Sequence, residues 1–185
     1  NPLFVNRNLE FRSVIHEVAG GLEFHYVPFT FGKGNKNAGT VYLLAQLGGF
    51  YMNPMAMYKD SLVALQPMST EGQGTSIATR KSYSLYQLCV PLGMGVKFAI
   101  GNKLTVNFDL AIRKTFTDYL DDVGPDPYPN AAELLSKTKT DAAAAVYFSN
   151  PTSRAVTKGQ LRNNPTKPSD GWVNFGIFFS RRLFK

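Results

Sequence analysis

Cysteine is nearly absent from this chain: among 185 residues Cys89 is the only thiol. One cysteine forms no internal disulfide, and Cys89 has no companions at metal-ligand spacing, so it is expected as a small side chain on a strand's lean face. Histidine is almost as scarce, with His16 and His25 alone, and Trp172 is the single tryptophan. The two histidines have opposite parity on one alternating stretch. They are therefore expected on opposite faces, sharing neither a metal nor a catalytic centre. No run of eighteen apolar residues occurs, which excludes a transmembrane helix. A membrane β-barrel stays open, because its strands alternate instead of running continuously apolar. Asn1 opens a polar segment without the apolar core of a leader, so the N-terminus is expected to be a mature or truncated one. No phosphate-cradling loop, metal-ligand spacing or Ser/His/Asp constellation appears, and Gly72-Gln73-Gly74 is too common in loops to count. Basic residues are not interleaved with free aromatics on one face, as nucleic-acid binding requires. These absences point away from an enzyme, a cofactor, a metal, a nucleic acid and a small-molecule substrate.

What is present is alternation. Hydrophobic residues make up 44% of the chain, with 14 Phe and 9 Tyr, which argues for an ordered fold. Over residues 86–100 every even position is apolar (Tyr86, Leu88, Val90, Leu92, Met94, Val96, Phe98, Ile100). The odd positions (Gln87, Cys89, Pro91, Gly93, Gly95, Lys97, Ala99) are small or polar. Period two is a strand with one face for each set. Its length exceeds the usual strand of about 5–6 residues and suffices for the roughly 9–11 tilted residues that cross a membrane. A bulky greasy face against a lean one suits lipid outside and a crowded barrel interior inside. Residues 104–116 alternate the same way, with Lys114 alone breaking the greasy face near its end, where it can snorkel. Residues 14–27 and 172–184 follow. Residues 41–52 form a further strand whose two faces are both apolar, leaving its phase open. Pro91 predicts a bulge beside Gly93 and Gly95.

The connections sort by length. Outer-membrane barrels have short periplasmic turns and long outer loops. With the C-terminus in the periplasm, residues 28–40 and 101–103 fall inside, and residues 53–83 and 118–170 fall outside. Asp141 before four alanines predicts a capped short helix in the last of these. The fold class predicted is all-β: a single-domain antiparallel transmembrane β-barrel of eight strands in the cell outer membrane, five of them here and three ahead of Asn1. Two aromatic girdles are expected, Tyr51, Tyr83, Tyr86, Phe116, Tyr119 and Trp172 at the outer ends and Tyr26, Phe29, Phe98 and Phe184 at the inner ends.

Glu17, Glu23, His25, Lys97, Asp109 and Arg113 share the lean face and are expected as an interior polar network filling a narrow barrel. The periplasmic rim gathers Lys33, Lys36, Lys103, Arg181, Arg182 and Lys185, most of the chain's net +7, without a carboxylate. Such a rim suits an acidic docking partner or phospholipid headgroups. The large outer loop carries both signs in near balance.

Three blocks carry a resemblance: Asn6-Arg7-Asn8-Leu9-Glu10-Phe11-Arg12-Ser13; Leu65-Gln66-Pro67 with Thr70-Glu71-Gly72-Gln73-Gly74; and Arg113-Lys114-Thr115-Phe116-Thr117-Asp118-Tyr119-Leu120-Asp121-Asp122. With the closing aromatic strand, they resemble the PorG-like family of small outer-membrane β-barrels of Bacteroidota, components of the type IX secretion system. The resemblance implies association with the periplasmic ring of the lipoprotein PorK and PorN, in a machine that exports proteins and in some relatives supports gliding motility. It carries over no catalytic residue. The expected function is thus a structural, anchoring barrel subunit contacting that ring and outer-membrane lipids. The alternative is a stand-alone barrel, either a narrow pore or a surface adhesin acting through residues 118–170. Weaker rivals are an outer-membrane hydrolase using Glu23 or His25 and a soluble lipocalin-like barrel.

Overall fold

The computed structural model describes residues 10–31, 38–73, 81–137, 141–152, 155–156, 159–163 and 169–182. In chain order the elements are β1 (Arg12–Ser13), β2 (His16–His25), β3 (Gly39–Tyr51), β4 (Pro54–Tyr58), β5 (Ser61–Ala64), a 3-10 turn (Gln66–Met68), β6 (Tyr86–Ala99), β7 (Leu104–Thr115), α1 (Ala131–Lys137), α2 (Ala142–Ser149) and β8 (Gly171–Arg181). The chain is mostly antiparallel sheet with few helices. Among the described residues no helix is long and apolar enough to cross a membrane, which says nothing of strands. Two compact units emerge. One holds Glu17–Phe50, Leu88–Phe116 and Gly171–Lys185; the other holds Asn1–His16, Tyr51–Gln87 and Thr117–Asp170.

The first unit is one five-stranded sheet in the order β2-β3-β6-β7-β8. The alternation predicted for residues 86–100 and 104–116 becomes β6 and β7, which pair from Cys89↔Thr115 to Ala99↔Thr105. β8 continues the ladder from Leu104↔Arg181 to Lys114↔Gly171. The bulge expected at Pro91 is absent from the β6–β7 ladder: Pro91↔Arg113, Gly93↔Ala111 and Gly95↔Asp109 keep a one-to-one register. A proline removes one donor but inserts no residue, and the long ladder on either side holds the alignment. The phase of β3, open from its composition, is settled by burial. Tyr42, Leu44 and Phe50 turn inward, and Val41, Leu43 and Leu47 turn outward.

The sheet is inverted relative to a soluble protein. Its bulky apolar face is exposed: Val18 and Leu22 on β2 are 84% and 80% accessible, and Phe175 and Phe179 on β8 are 71% and 70% accessible. Leu88, Leu92, Met94, Leu110 and Ile112 expose the same face on the central strands. The opposite face buries Lys97, Thr105, Asn107 and Thr115 beside Tyr42, Cys89 and Ala111. This face is concave. Glu17 on β2 meets Arg113 on β7 at 2.7 Å, and Phe50 on β3 meets Trp172 on β8 edge-on at 5.2 Å. Each pair is three strand steps apart in the sheet order, about 14 Å if the sheet were flat.

The second unit adds secondary structure to residues 53–83, read as a long loop, and to residues 118–170, read as a long connection with one short helix. β4 and β5 form a hairpin paired from Met55↔Ala64 to Tyr58↔Ser61, and β1 joins it through Arg12↔Met55. No glycine or asparagine signals the turn, since Lys59 and Asp60 themselves take left-handed φ of 47° and 64°. The predicted cap at Asp141 is present, its carboxylate accepting from the Ala144 amide at 3.0 Å to start α2. α1 is an element beyond those expected from the sequence, and Asn130 caps it by accepting from the Ala132 amide at 2.9 Å. Ala144 and Phe148 of α2 pack on Ala56 and Leu65, giving this unit its own apolar core.

The expected girdles need two corrections. Trp172 lies on the concave face against Phe50, because it shares parity with inward Asn174. Tyr83 is buried, stacked on Tyr119 at 4.5 Å with its hydroxyl donating to Asp122. Tyr86, Phe116, Tyr26 and Phe98 are exposed, Tyr51 tilts against Tyr86, and Phe29 sets its edge on His25. Phe184 lies outside the described residues.

Candidate functional site

All six residues predicted for the interior lie on the concave face of the five-stranded sheet, and five of them pair with one another. Arg113 Nε donates to Glu17 Oε2 at 2.7 Å, and its Nη1 donates to Asn174. Lys97 donates to Glu23, whose Oε2 also lies 3.0 Å from His25 Nε2. Asp109 accepts instead from the hydroxyl of Tyr42, and the Lys97 ammonium stands 4.8 Å over the Tyr42 ring. Further along, Thr105 donates to Asn107, which donates to Ser180 at 2.6 Å. His25 sits among aromatic rings, Phe29 at 5.7 Å and Tyr42 at 5.8 Å. His16 is on the opposite face, stacked on Tyr51.

The arrangement is a set of ties between strands that are not neighbours. Each buried or half-buried charge meets a counter-charge or a strong donor, which offsets the cost of leaving water. Small residues make the room: a β-carbon on Gly95 would stand 2.5 Å from Asp109 Oδ1 and 2.7 Å from the Tyr42 ring. Among the described residues no group of three or more metal-ligating side chains assembles. Sequence reading missed Tyr42 and Asn174, Tyr42 because the phase of its strand was open.

Of the predicted rim, Lys103, Arg181 and Arg182 are described and exposed at one end of the sheet. The Arg182 amide donates to the Lys103 carbonyl at 2.9 Å, and the Arg182 guanidinium lies 5.5 Å from the Phe31 ring. Arg181 shares the outward face with Phe179 and pairs across the ladder with Leu104, so its charge terminates the apolar face. Lys33, Lys36 and Lys185 lie outside the described residues.

The second unit holds a polar cluster that no spacing announced. Arg162, only 2% exposed, reaches Glu71 Oε1 at 3.2 Å, Thr70 Oγ1 at 3.0 Å and the carbonyls of Asp122 and Phe148, each at 3.2 Å. Asp122 accepts from Thr70 at 2.6 Å and from Tyr83 at 2.7 Å. Glu71 also accepts from the Gly124 amide at 2.9 Å. Burial, opposed by Arg162, pushes the Glu71 carboxyl up to about 7. Burial also raises Asp122, Tyr83 and Tyr119, and with Asp170 nearby pushes Asp121 up to about 6. Two of the resemblance blocks, Thr70–Gln73 and the stretch ending at Asp122, thus meet around one guanidinium. The partners are separated by 91 residues in sequence, so local pattern gave no sign of them.

A β-rich chain whose sheet is apolar on its exposed face and polar on its concave face is the class these observations define. The chain belongs to a family described as a domain of unknown function, DUF6089, whose model matches residues 2–140. Comparison with curated proteins and with solved structures gave no match.

Proposed function

We propose that the chain is an outer-membrane β-barrel serving as a structural, anchoring subunit and not as a catalyst or conduit. The observation that carries this reading is the inverted sheet. Its exposed face is bulky and apolar over all five strands, while its concave face holds the ion pairs. Lipid outside and a polar interior account for that inversion; a soluble sheet would reverse it. β2 and β8 end the sheet, and their inward-facing Glu23 and Phe178 remain exposed, which is consistent with closure of the sheet into a barrel, of eight strands on this reading. At that size the interior is filled by side chains, and the cross-strand ties through Arg113, Lys97 and Tyr42 favour an anchor over a pore.

The resemblance to PorG-like barrels suggests the machine: a type IX secretion system, with PorK and PorN as the periplasmic ring. Lys103, Arg181 and Arg182 would form part of the docking rim. A detergent-solubilised pull-down from outer membranes, beside a Lys103→Glu/Arg182→Glu variant, tests both claims. Ring lipoprotein recovered with the parent chain and lost with the variant is the expected result. Recovery with both would relocate the docking face. No ring protein after mild cross-linking would favour the stand-alone barrel, for which the separately cored second unit suits a surface adhesin. Extraction of the chain from membranes by alkaline carbonate would overturn the barrel itself.

A further inference from the structure

The segment after β2 leaves the sheet and crosses its concave side. The Tyr26 amide still donates to the Val41 carbonyl at 2.9 Å, and the Thr40 hydroxyl donates to the Val27 carbonyl at 3.0 Å. Pro28 then ends the pairing, since it has no amide to give and biases Val27 to an extended backbone. Beyond this point the side chains divide: Pro28 and Thr30 are exposed, whereas Phe29 and Phe31 are half-buried. Phe29 sets its edge on the His25 ring at 5.7 Å, and Phe31 packs edge-on against Phe29 at 5.3 Å. The next contact is at the other edge of the sheet. The Arg182 guanidinium lies 5.5 Å from the Phe31 ring, and Arg182 shares parity with Ser180, which accepts from Asn107 on the concave face. His25 ends β2 and Arg182 follows β8, the first and last strands of the sheet order. On a flat sheet four strand steps would hold them about 19 Å apart. Here a run of ring and cation contacts joins them.

We propose that residues 28–31 are an aromatic strap that closes the concave face at its Lys103–Arg182 end, with Phe29 seated on His25 and Phe31 held at the far edge by Arg182. The chemistry suits the task. Aromatic rings pack well edge to face, and a guanidinium over a ring adds attraction without needing a carboxylate. Thr105 and Asn107, the concave-face residues near this end of β7, are only 1% and 3% exposed, as a covered mouth requires. In a barrel the strap would seal the lumen on the side of the docking rim, which suits an anchor and not a conduit. That consequence rests on the barrel reading above; the strap itself does not.

The test is thiol labelling of the full chain in detergent micelles with a charged methanethiosulfonate reagent. Thr105→Cys in a Cys89→Ser background reports on the strapped end. Native Cys89, at the opposite end of the β6–β7 ladder, is the control. Phe29→Ala/Phe31→Ala should speed labelling at position 105 by on the order of ten-fold and leave that of Cys89 unchanged, because only local cover is lost. If the double variant does not fold, Arg182→Gln at an exposed site carries the test, with labelling at position 105 expected to rise roughly three-fold. Unchanged labelling at position 105 in a folded variant overturns the proposal, as does equal acceleration at both positions, which would mark general loosening. Heat-modifiable migration of the same samples on gels reads the barrel separately, so the two readings fail independently.

Discussion

Lys59 and Asp60 turn the β4–β5 hairpin with both residues left-handed, a conformation that favours glycine and asparagine. Replacing the pair with Asn-Gly should stabilise the chain by about 1 kcal/mol, read as a shift in the urea midpoint. Arg113 poses the opposite case. Its side chain and that of Glu17 are only 13% and 17% exposed. Arg113→Met strands Glu17 without its cation and should cost about 3 kcal/mol, whereas the double change with Glu17→Met should recover most of the loss. A double-mutant cycle on denaturant curves separates the two. Gly95 is required by close approach, not by its backbone angles. Gly95→Val would drive Tyr42 off Asp109 and should destabilise by about 2 kcal/mol.

At the scale of the element, β6 and β7 were legible because period-two alternation over more than ten residues admits one reading. Their lean faces identify the concave-face residues, since a strand fixes side by parity alone. Which charge meets which was not legible: Lys97 reaches Glu23 and Arg113 reaches Glu17 because the sheet curls. The β4–β5 hairpin was lost because its turn lacks the usual residues, and α1 because seven residues give no periodic face. The exposed face makes a prediction of its own. In lipid, Leu92→Arg near the middle of β6 should weaken folding into vesicles by about 2–4 kcal/mol. On a soluble surface the same change is nearly neutral. Urea titration of folding into phospholipid vesicles distinguishes them, and a neutral result would count against the barrel.

For the whole molecule, composition and parity determined a β-rich fold and the apolar and polar faces of four of the five strands. These follow from properties each residue carries locally: size, polarity and position in a two-residue repeat. The tertiary structure decided the curl of the sheet, the inward turn of β3, and the separate core in which Ala144 and Phe148 meet Ala56 and Leu65. It also decided that Arg162 would meet Glu71 and Asp122. Those outcomes depend on which distant segments exclude water together, and a buried charge takes as its partner whatever the fold brings within reach, however far along the chain it lies.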